Sequence, residues 1–238
     1  MPARPHLFGL LAGLFLAAGL VGAAVVLTRA WLRVAERQSV SVTGSARRAV
    51  RADLVIWRSS FSVEGKTLLE AQQKLKADRA KVQAFMQAKQ ATNYLISPIV
   101  IQELKANSSE QQTVGFRMSQ TVELRSGDAD AVAKLERETT DLVEQGAQFT
   151  PLATEFIYTK AAETKVELVG EASKDARARA DQIVAPGGRK IRRLQDAHLG
   201  VFQIAPLHST RTSWEGVSDT TALDKTITAV VNATFSLE

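Results

Sequence analysis

The 238 residues include no cysteine. That absence excludes disulfides, zinc–thiolate sites and cysteine nucleophiles. No G-x-S-x-G elbow, H-x-x-x-H pair or C-x-x-C pair occurs either, so no familiar hydrolase turn or metal motif stands out. A large charge excess of one sign is also missing: 30 cations face 25 anions, for a formal net charge of +5. A balance that close argues against a dedicated nucleic-acid binder, which concentrates its surplus on one face. Aromatic residues make up only 6%, and the basic clusters lack the interleaved aromatics on which single-stranded bases stack. The low hydrophobicity of a disordered chain is absent as well: 45% of residues are hydrophobic and 23% charged, an ordinary globular composition.

What is present begins at the N-terminus. Leu7 to Leu27 contains no charged residue and is rich in Leu, Ala and Gly. As a helix it is about 30 Å long, the thickness of a bilayer core. Arg4 precedes it, and Arg29, Trp31, Arg33 and Arg37 follow. Two membrane readings compete. One is a signal peptide cut near Val21-Gly22-Ala23; the other, favoured because a cleaved h-region is only about 7–15 residues, is an uncleaved signal-anchor. The arginines after the span pull that side inward and give no clear orientation. The expected organisation is a signal-anchor over 1–28, a juxtamembrane connector over 29–38 and one α+β domain over 39–238.

Alternation starts at Ser39, with Val40 and Val42 on one side of a strand. Arg47 to Asp53 reads as a polar turn. Val55, Trp57, Phe61 and Val63 then share one parity, with Ser59 between them, which predicts a long strand to Val63 or Glu64. A helix follows with Leu68, Leu75, Val82 and Phe85/Met86 on its stripe, ending near Gln90. Strands are predicted over 95–105 and 113–125, joined by the loop 106–112; in the second, Val114, Phe116, Met118, Val122 and Leu124 point one way. Asp128 caps a helix carrying Val132, Leu135, Thr139 and Leu142. A short strand over 154–160 precedes a helix over 161–184 with Val166, Val169, Ala176, Ala180 and Ile183, stopped by Pro186-Gly187-Gly188. Residues 190–205 read as extended, 206–221 as a loop, and 223–237 as a closing strand with Ile227, Ala229, Val231, Ala233, Phe235 and Leu237 alternating inward. Clean alternation and short connections imply antiparallel sheets with helices over the apolar face, in two helix-strand-strand units.

Several residues carry candidate chemistry. Gly65-Lys66-Thr67 matches the end of a phosphate-binding loop, but Ser60 occupies the position of the required first glycine, inside an alternating strand. Thr67-Leu68-Leu69-Glu70 is T-x-x-E, so the same residues are better read as a turn and a capping box, with no nucleotide. Asp196 and His198 share a strand face, and His208 follows beyond Pro206. Together they define the alternative reading of a metal-dependent or hydrolytic enzyme; the simpler reading is polar-face residues, with no catalytic, cofactor or metal site. Asp53, Glu64 and Glu123 read as surface carboxylates. Arg47, Arg48 and Arg51 form one basic cluster; Arg189, Lys190, Arg192 and Arg193 form another. Such charges deter edge pairing and attract anionic head groups. Trp214, in the polar loop H-S-T-R-T-S-W-E-G, has no evident core partner and is the first candidate for a partner or subunit contact, and Arg189, Lys190, Arg192 and Arg193 are further candidates.

V-S-V-T-G-S-A at 40–46, R-A-D-L-V at 51–55, E-G-K-T-x-x-E-A-Q at 64–72, E-A-S-K-D-A-R-A-R-A at 171–180, G-V-F-Q-I at 200–204 and A-V-V-N-A-T-F-S-L-E at 229–238 together resemble the SIMPL-domain family of exported bacterial proteins. The order and spacing of these stretches carry the resemblance over residues 39–238. It implies an α+β fold, export to the periplasm or cell envelope, homo-oligomeric assembly as in some members, and a part in oxidative-stress tolerance or envelope integrity. It supplies no catalytic residues. The expectation is therefore a non-enzymatic, inner-membrane protein with a periplasmic domain, acting by self-assembly or partner binding, or secreted to the periplasm if the leader is cut.

Overall fold

A computed structural model describes residues 5–35, 38–106, 112–209 and 213–238. Arg4, Arg37, most of the predicted 106–112 loop and residues 210–212 of the second loop lie outside them, as do the side chains of residues 5–12 and 32–35. The chain begins with α1 (Pro5–Ala35). Within it, Gly13–Trp31 is long and apolar enough to cross a membrane, and its described side chains are exposed. The helix runs on through most of the expected connector.

Beyond α1 the chain is α+β, as its alternation predicts, and it falls into two compact units. The larger holds residues 47–168 and 201–229. Its strand β2 (Leu54–Gly65) buries Val55, Trp57, Ser59, Phe61 and Val63, the predicted parity. The helix α2 (Leu68–Ala88) follows. The Thr67 hydroxyl accepts a hydrogen bond from the Glu70 N–H at 3.2 Å, and the Glu70 carboxylate accepts from the Lys66 N–H at 2.9 Å. Two amides at the helix start are thereby satisfied. The buried stripe of α2 is Ala71, Leu75, Asp78, Val82, Phe85 and Met86. Leu68, expected on it, is exposed because it sits one turn too early to reach the sheet.

The predicted 95–105 strand is two strands, β3 (Tyr94–Ile96) and β4 (Val100–Lys105). Pro98 has no N–H for a ladder, and Ser97 turns inward to bond Thr121 instead. Both strands pair antiparallel with β5 (Thr113–Ser126). In β5, Met118, Gln120, Val122 and Leu124 are buried, whereas Val114 lies beyond the helix layer and is exposed. Asp128 caps α3 (Ala129–Glu138) through the N–H groups of Asp130 and Ala131. The expected single helix breaks at Thr139, whose hydroxyl bonds back to the Glu136 carbonyl at 2.7 Å, and resumes as α4 (Thr140–Glu144). The strand β6 (Gln148–Ile157) starts earlier than its sequence suggests; Pro151 conceals it, tolerated because β6 is an edge strand. The order across this sheet is β3-β5-β2-β6, with β4 also on β5, all antiparallel. Its core joins Trp57, Phe61, Leu75, Val82, Val122 and Leu142, with the Trp57 and Phe149 rings stacked 6.0 Å apart.

The helix α5 (Ala161–Val184) has the predicted bounds, and its buried face keeps Ala176 and Ala180 of the predicted stripe but not its larger residues. Leu168, Ala172, Ala176 and Ala180 are fully buried, whereas Val166 and Ile183 are exposed. Small residues win because the helix approaches backbone. A Cβ added at Gly44 would lie 2.2 Å from the Ala172 carbonyl oxygen and 2.4 Å from the Ala176 nitrogen. Gly44 belongs to β1 (Ser39–Arg51), which continues through the expected 47–53 turn. In the smaller unit (residues 1–46, 169–200 and 230–238), α5 ends in a 3-10 turn over Ala185–Gly187, with Gly188 at φ 68°. The predicted 190–205 extension breaks into β7 (Ile191–Leu199) and β8 (Gln203–Pro206). The break is at Gly200, whose N–H bonds the Val230 carbonyl and where a Cβ would meet Val230 at 3.1 Å. The strand β9 (Val217–Ser218) pairs parallel with β8, an exception to the all-antiparallel expectation. Finally β10 (Asp224–Leu237) pairs antiparallel with β8 through residues 225–228 and with β7 through residues 231–237.

Candidate functional site

In the smaller unit, the far end of β10 gathers one end of the chain's basic cluster. The Leu237 N–H donates to the Gln38 carbonyl at 3.0 Å, just before β1. The Glu238 N–H donates to the Lys190 carbonyl at 2.9 Å, and the Arg189 guanidinium reaches the Glu238 carbonyl at 3.3 Å. Arg189, Lys190, Arg192 and Arg193 are therefore set at one sheet end by backbone ladders. Their side chains are exposed, and Lys190, Arg192 and Arg193 form no ion pair among the described residues. Register shifts in β7 on either side of Arg193 and Leu194 bend its outer edge, which with the cations blunts strand addition there.

Further along, one face of β1, β10 and β7 carries two polar rows. The Ser41 and Thr234 hydroxyls are 2.8 Å apart, and the Thr43 hydroxyl donates to Asn232 Oδ1 at 2.7 Å. Opposite Thr234 and Asn232 in the β7 register stand Asp196 and His198, paired at 3.0 Å from Nε2 to Oδ2. A shallow recess of about 170 Å³ lies among these residues. Both members of the Asp–His pair are largely exposed. Ser41 bonds Thr234 and has no bond to the imidazole among the described residues, so no activated hydroxyl stands beside the pair. His208 belongs to the larger unit, at φ 68° in the turn after β8. Among the described residues no three His, Asp or Glu side chains gather where they could hold a metal.

The larger unit holds a cleft of about 500 Å³ between the end of α2, β5 and α3. Its polar groups are mostly occupied by one another. Lys89 reaches Glu138 at 3.1 Å, and Asn93 exchanges hydrogen bonds with the Arg125 backbone. The turn at Gln90, with φ 56°, shapes its wall. On the other sheet face Arg58 bridges Glu123 and Glu155, each at 2.7 Å. The hydrogen bond from Arg58 holds the Glu123 carboxyl below its usual value, and the two carboxylates raise Arg58. Burial raises the Asp53 carboxyl, but hydrogen bonds from the Thr159 N–H and hydroxyl outweigh it and the net shift is downward. These carboxylates hold strands together.

Trp214 is 84% exposed. The loop under it is pinned where Gln203 Nε2 donates to the Ser213 carbonyl at 2.6 Å, and Gly216 turns the chain at φ 94°. Strand edges are expected contact surfaces, and the β3–β4 edge is an apolar one. There Leu95, Ile99, Val100 and Ile101 are exposed, Val100 at 61% and Ile101 at 54%, and among the described residues β4 pairs on one side only, with β5. Pro98 was the available signal, since it separates a short apolar strand from its neighbours. The G-K-T segment makes no phosphate cradle: Gly65 ends β2 in register with Phe116, and Thr67 is a helix cap.

Comparison with known proteins places this geometry. A family model described as "SIMPL: Protein of unknown function (DUF541)" matches residues 40–235. No curated protein matches. Among solved structures, similarity is found to a hydantoinase/carbamoylase family amidase from Burkholderia ambifaria (19% identity, TM-score 0.26, covering 53% of this chain and 34% of the amidase). An amidase of that family from Burkholderia multivorans (15%, TM-score 0.24, 53% and 31%) and an uncharacterized conserved protein from Listeria innocua (11%, TM-score 0.22, 78% and 91%) are also similar. The chain spans about a third of the length of the amidases.

Proposed function

The chain belongs to the SIMPL family, whose model covers it from residue 40 to 235, and from that premise we propose a non-enzymatic envelope protein, held in the inner membrane by α1 with its α+β part on the periplasmic side, that works by assembling with further copies or a partner. Support for a retained anchor comes from the uncharged run Leu7 to Leu27, which is longer than the about 7–15 residues of a cleaved h-region. The observation that carries assembly is the β3–β4 edge. Natural sheets protect edges with charge, proline or bulges. On the opposite edge β6 has Pro151 and a register shift opposite Arg58/Ser59. On β4, by contrast, Val100, Ile101 and Gln102 precede the first charge at Glu103. Strand addition there satisfies backbone groups and covers apolar side chains together. Trp214 supplies a second anchor of the type that dominates interfaces.

The mass of the native complex extracted in mild detergent tests both parts. The expected result is a particle several times the protomer mass that retains residues 1–28. Val100→Lys with Ile101→Lys lowers that mass while leaving the far-UV spectrum unchanged. A wild-type protomer in detergent, or a particle unaffected by the two lysines, overturns assembly through this edge.

A further inference from the structure

The formal surplus of the chain is not spread over it. Residues 174–193 hold seven cations (Lys174, Arg177, Arg179, Arg189, Lys190, Arg192 and Arg193) against two anions, Asp175 and Asp181. That surplus equals the +5 of the whole chain. Arg179 is engaged with Asp175 at 2.8 Å. Four of the rest lie within five residues at the start of β7, with Glu238 as the neighbouring acidic residue.

Chain connectivity then limits how far this cluster can be from a membrane. The apolar span ends at Trp31, α1 ends at Ala35 and β1 starts at Ser39. Four helical steps and four extended ones reach about 20 Å at most. Gln38 is hydrogen-bonded to Leu237, Leu237 is in register with Ile191, and Glu238 is bonded to Lys190. The β1 start, the β10 end and the β7 start thus form one sheet end. Adjacent strands are about 4.8 Å apart, so the cluster lies within two strand spacings of the tether. Arginine and lysine side chains and the head-group layer together span most of what is left.

We propose that Arg189, Lys190, Arg192 and Arg193 form a docking surface for the phosphate-bearing head groups of anionic lipids in the leaflet next to the anchor. This rests on the reading that α1 stays in the membrane. Confinement by the tether supplies the high local concentration that a weak polybasic patch needs, and the bulged, charged β7 edge suits a lipid surface better than strand pairing.

The test uses the full chain reconstituted into vesicles of phosphatidylcholine alone or with phosphatidylglycerol. Amine acylation at Lys190 and dicarbonyl modification at Arg189, Arg192 and Arg193 are followed by mass spectrometry, with Lys76 and Arg79 on α2 as internal references. In phosphatidylglycerol vesicles, modification of the four residues is expected to fall about fivefold. It returns at about 1 M salt, where the Debye length is roughly 3 Å; the references do not change. Inorganic phosphate added to phosphatidylcholine vesicles does not reproduce the protection. Equal modification in both vesicle types overturns the proposal, as does protection that ignores lipid charge or salt, or that free phosphate reproduces. A chain that fails to float with either vesicle overturns the anchor reading itself, an outcome distinct from a floating chain whose cluster is unprotected.

Discussion

Lys225 is 1% exposed, and its ammonium donates to both the carboxylate and the backbone carbonyl of Asp219, each at 2.7 Å. Thr221 and the Ala222 N–H complete the carboxylate's bonds. The pair pins the 219–222 turn to the start of β10. Burial raises the Asp219 carboxyl, but the hydrogen bonds from Lys225, Ala222 and Thr221 outweigh it and hold it at about 2. The carboxyl is depressed on folding, so its contribution is complete above the unfolded value near 4 and is lost as pH falls towards 2. That contribution is on the order of 2 kcal/mol. Denaturant midpoints of the wild type and Asp219→Asn should accordingly differ at neutral pH and converge near pH 2–3. Lys225→Met strands the carboxylate and should cost about 3 kcal/mol or more, with part recovered by adding Asp219→Asn; an unchanged midpoint would show the pair to be dispensable. The signal was legible, because Lys225 shares the inward parity of Ile227, Ala229 and Val231. Its partner was not, since a turn six residues upstream has no periodicity.

At the scale of elements, caps and strong alternation were readable and packing partners were not. Thr67 and Asp128 cap as their spacing says, and α5 has the expected bounds. Thr67→Ala should cost about 1 kcal/mol in thermal unfolding without any change in nucleotide binding. The buried face of α5 was read correctly at Ala176 and Ala180 but not at Val166 and Ile183, because hydrophobicity points to the larger residues whereas the neighbouring backbone favours small ones. Gly44 and the alanines of 171–180 lie in two of the stretches that carry the family resemblance, and they meet at that contact. The Ser45 N–H also donates to Asp175 at 2.8 Å. Gly44→Val should therefore destabilise by about 3 kcal/mol or more, since backbone cannot yield as a flexible side chain does. A midpoint shift of the size seen for an exposed strand residue would contradict the close approach.

For the whole molecule, fold class and the long apolar N-terminal helix were legible from composition and period, because both depend on local pattern. Division into two units was not, since it depends on which distant strands share a ladder. Arg189 to Arg193 show the same limit. The sequence displays the cluster, but only the pairing of Gln38 with Leu237 and of Lys190 with Glu238 brings it to the sheet end at which the chain leaves α1.

Strand β10 contributes residues 224–229 to one unit and 230–237 to the other. Because β10 follows the strands it pairs with, neither unit can finish its ladder until residue 237 has been made. Ser41 must wait for Thr234, a separation that makes closure slow. Biogenesis therefore includes an interval when α1 is already made and the β1 and β8 ladders are open. Loss of β10 would open the ladders of both units at once.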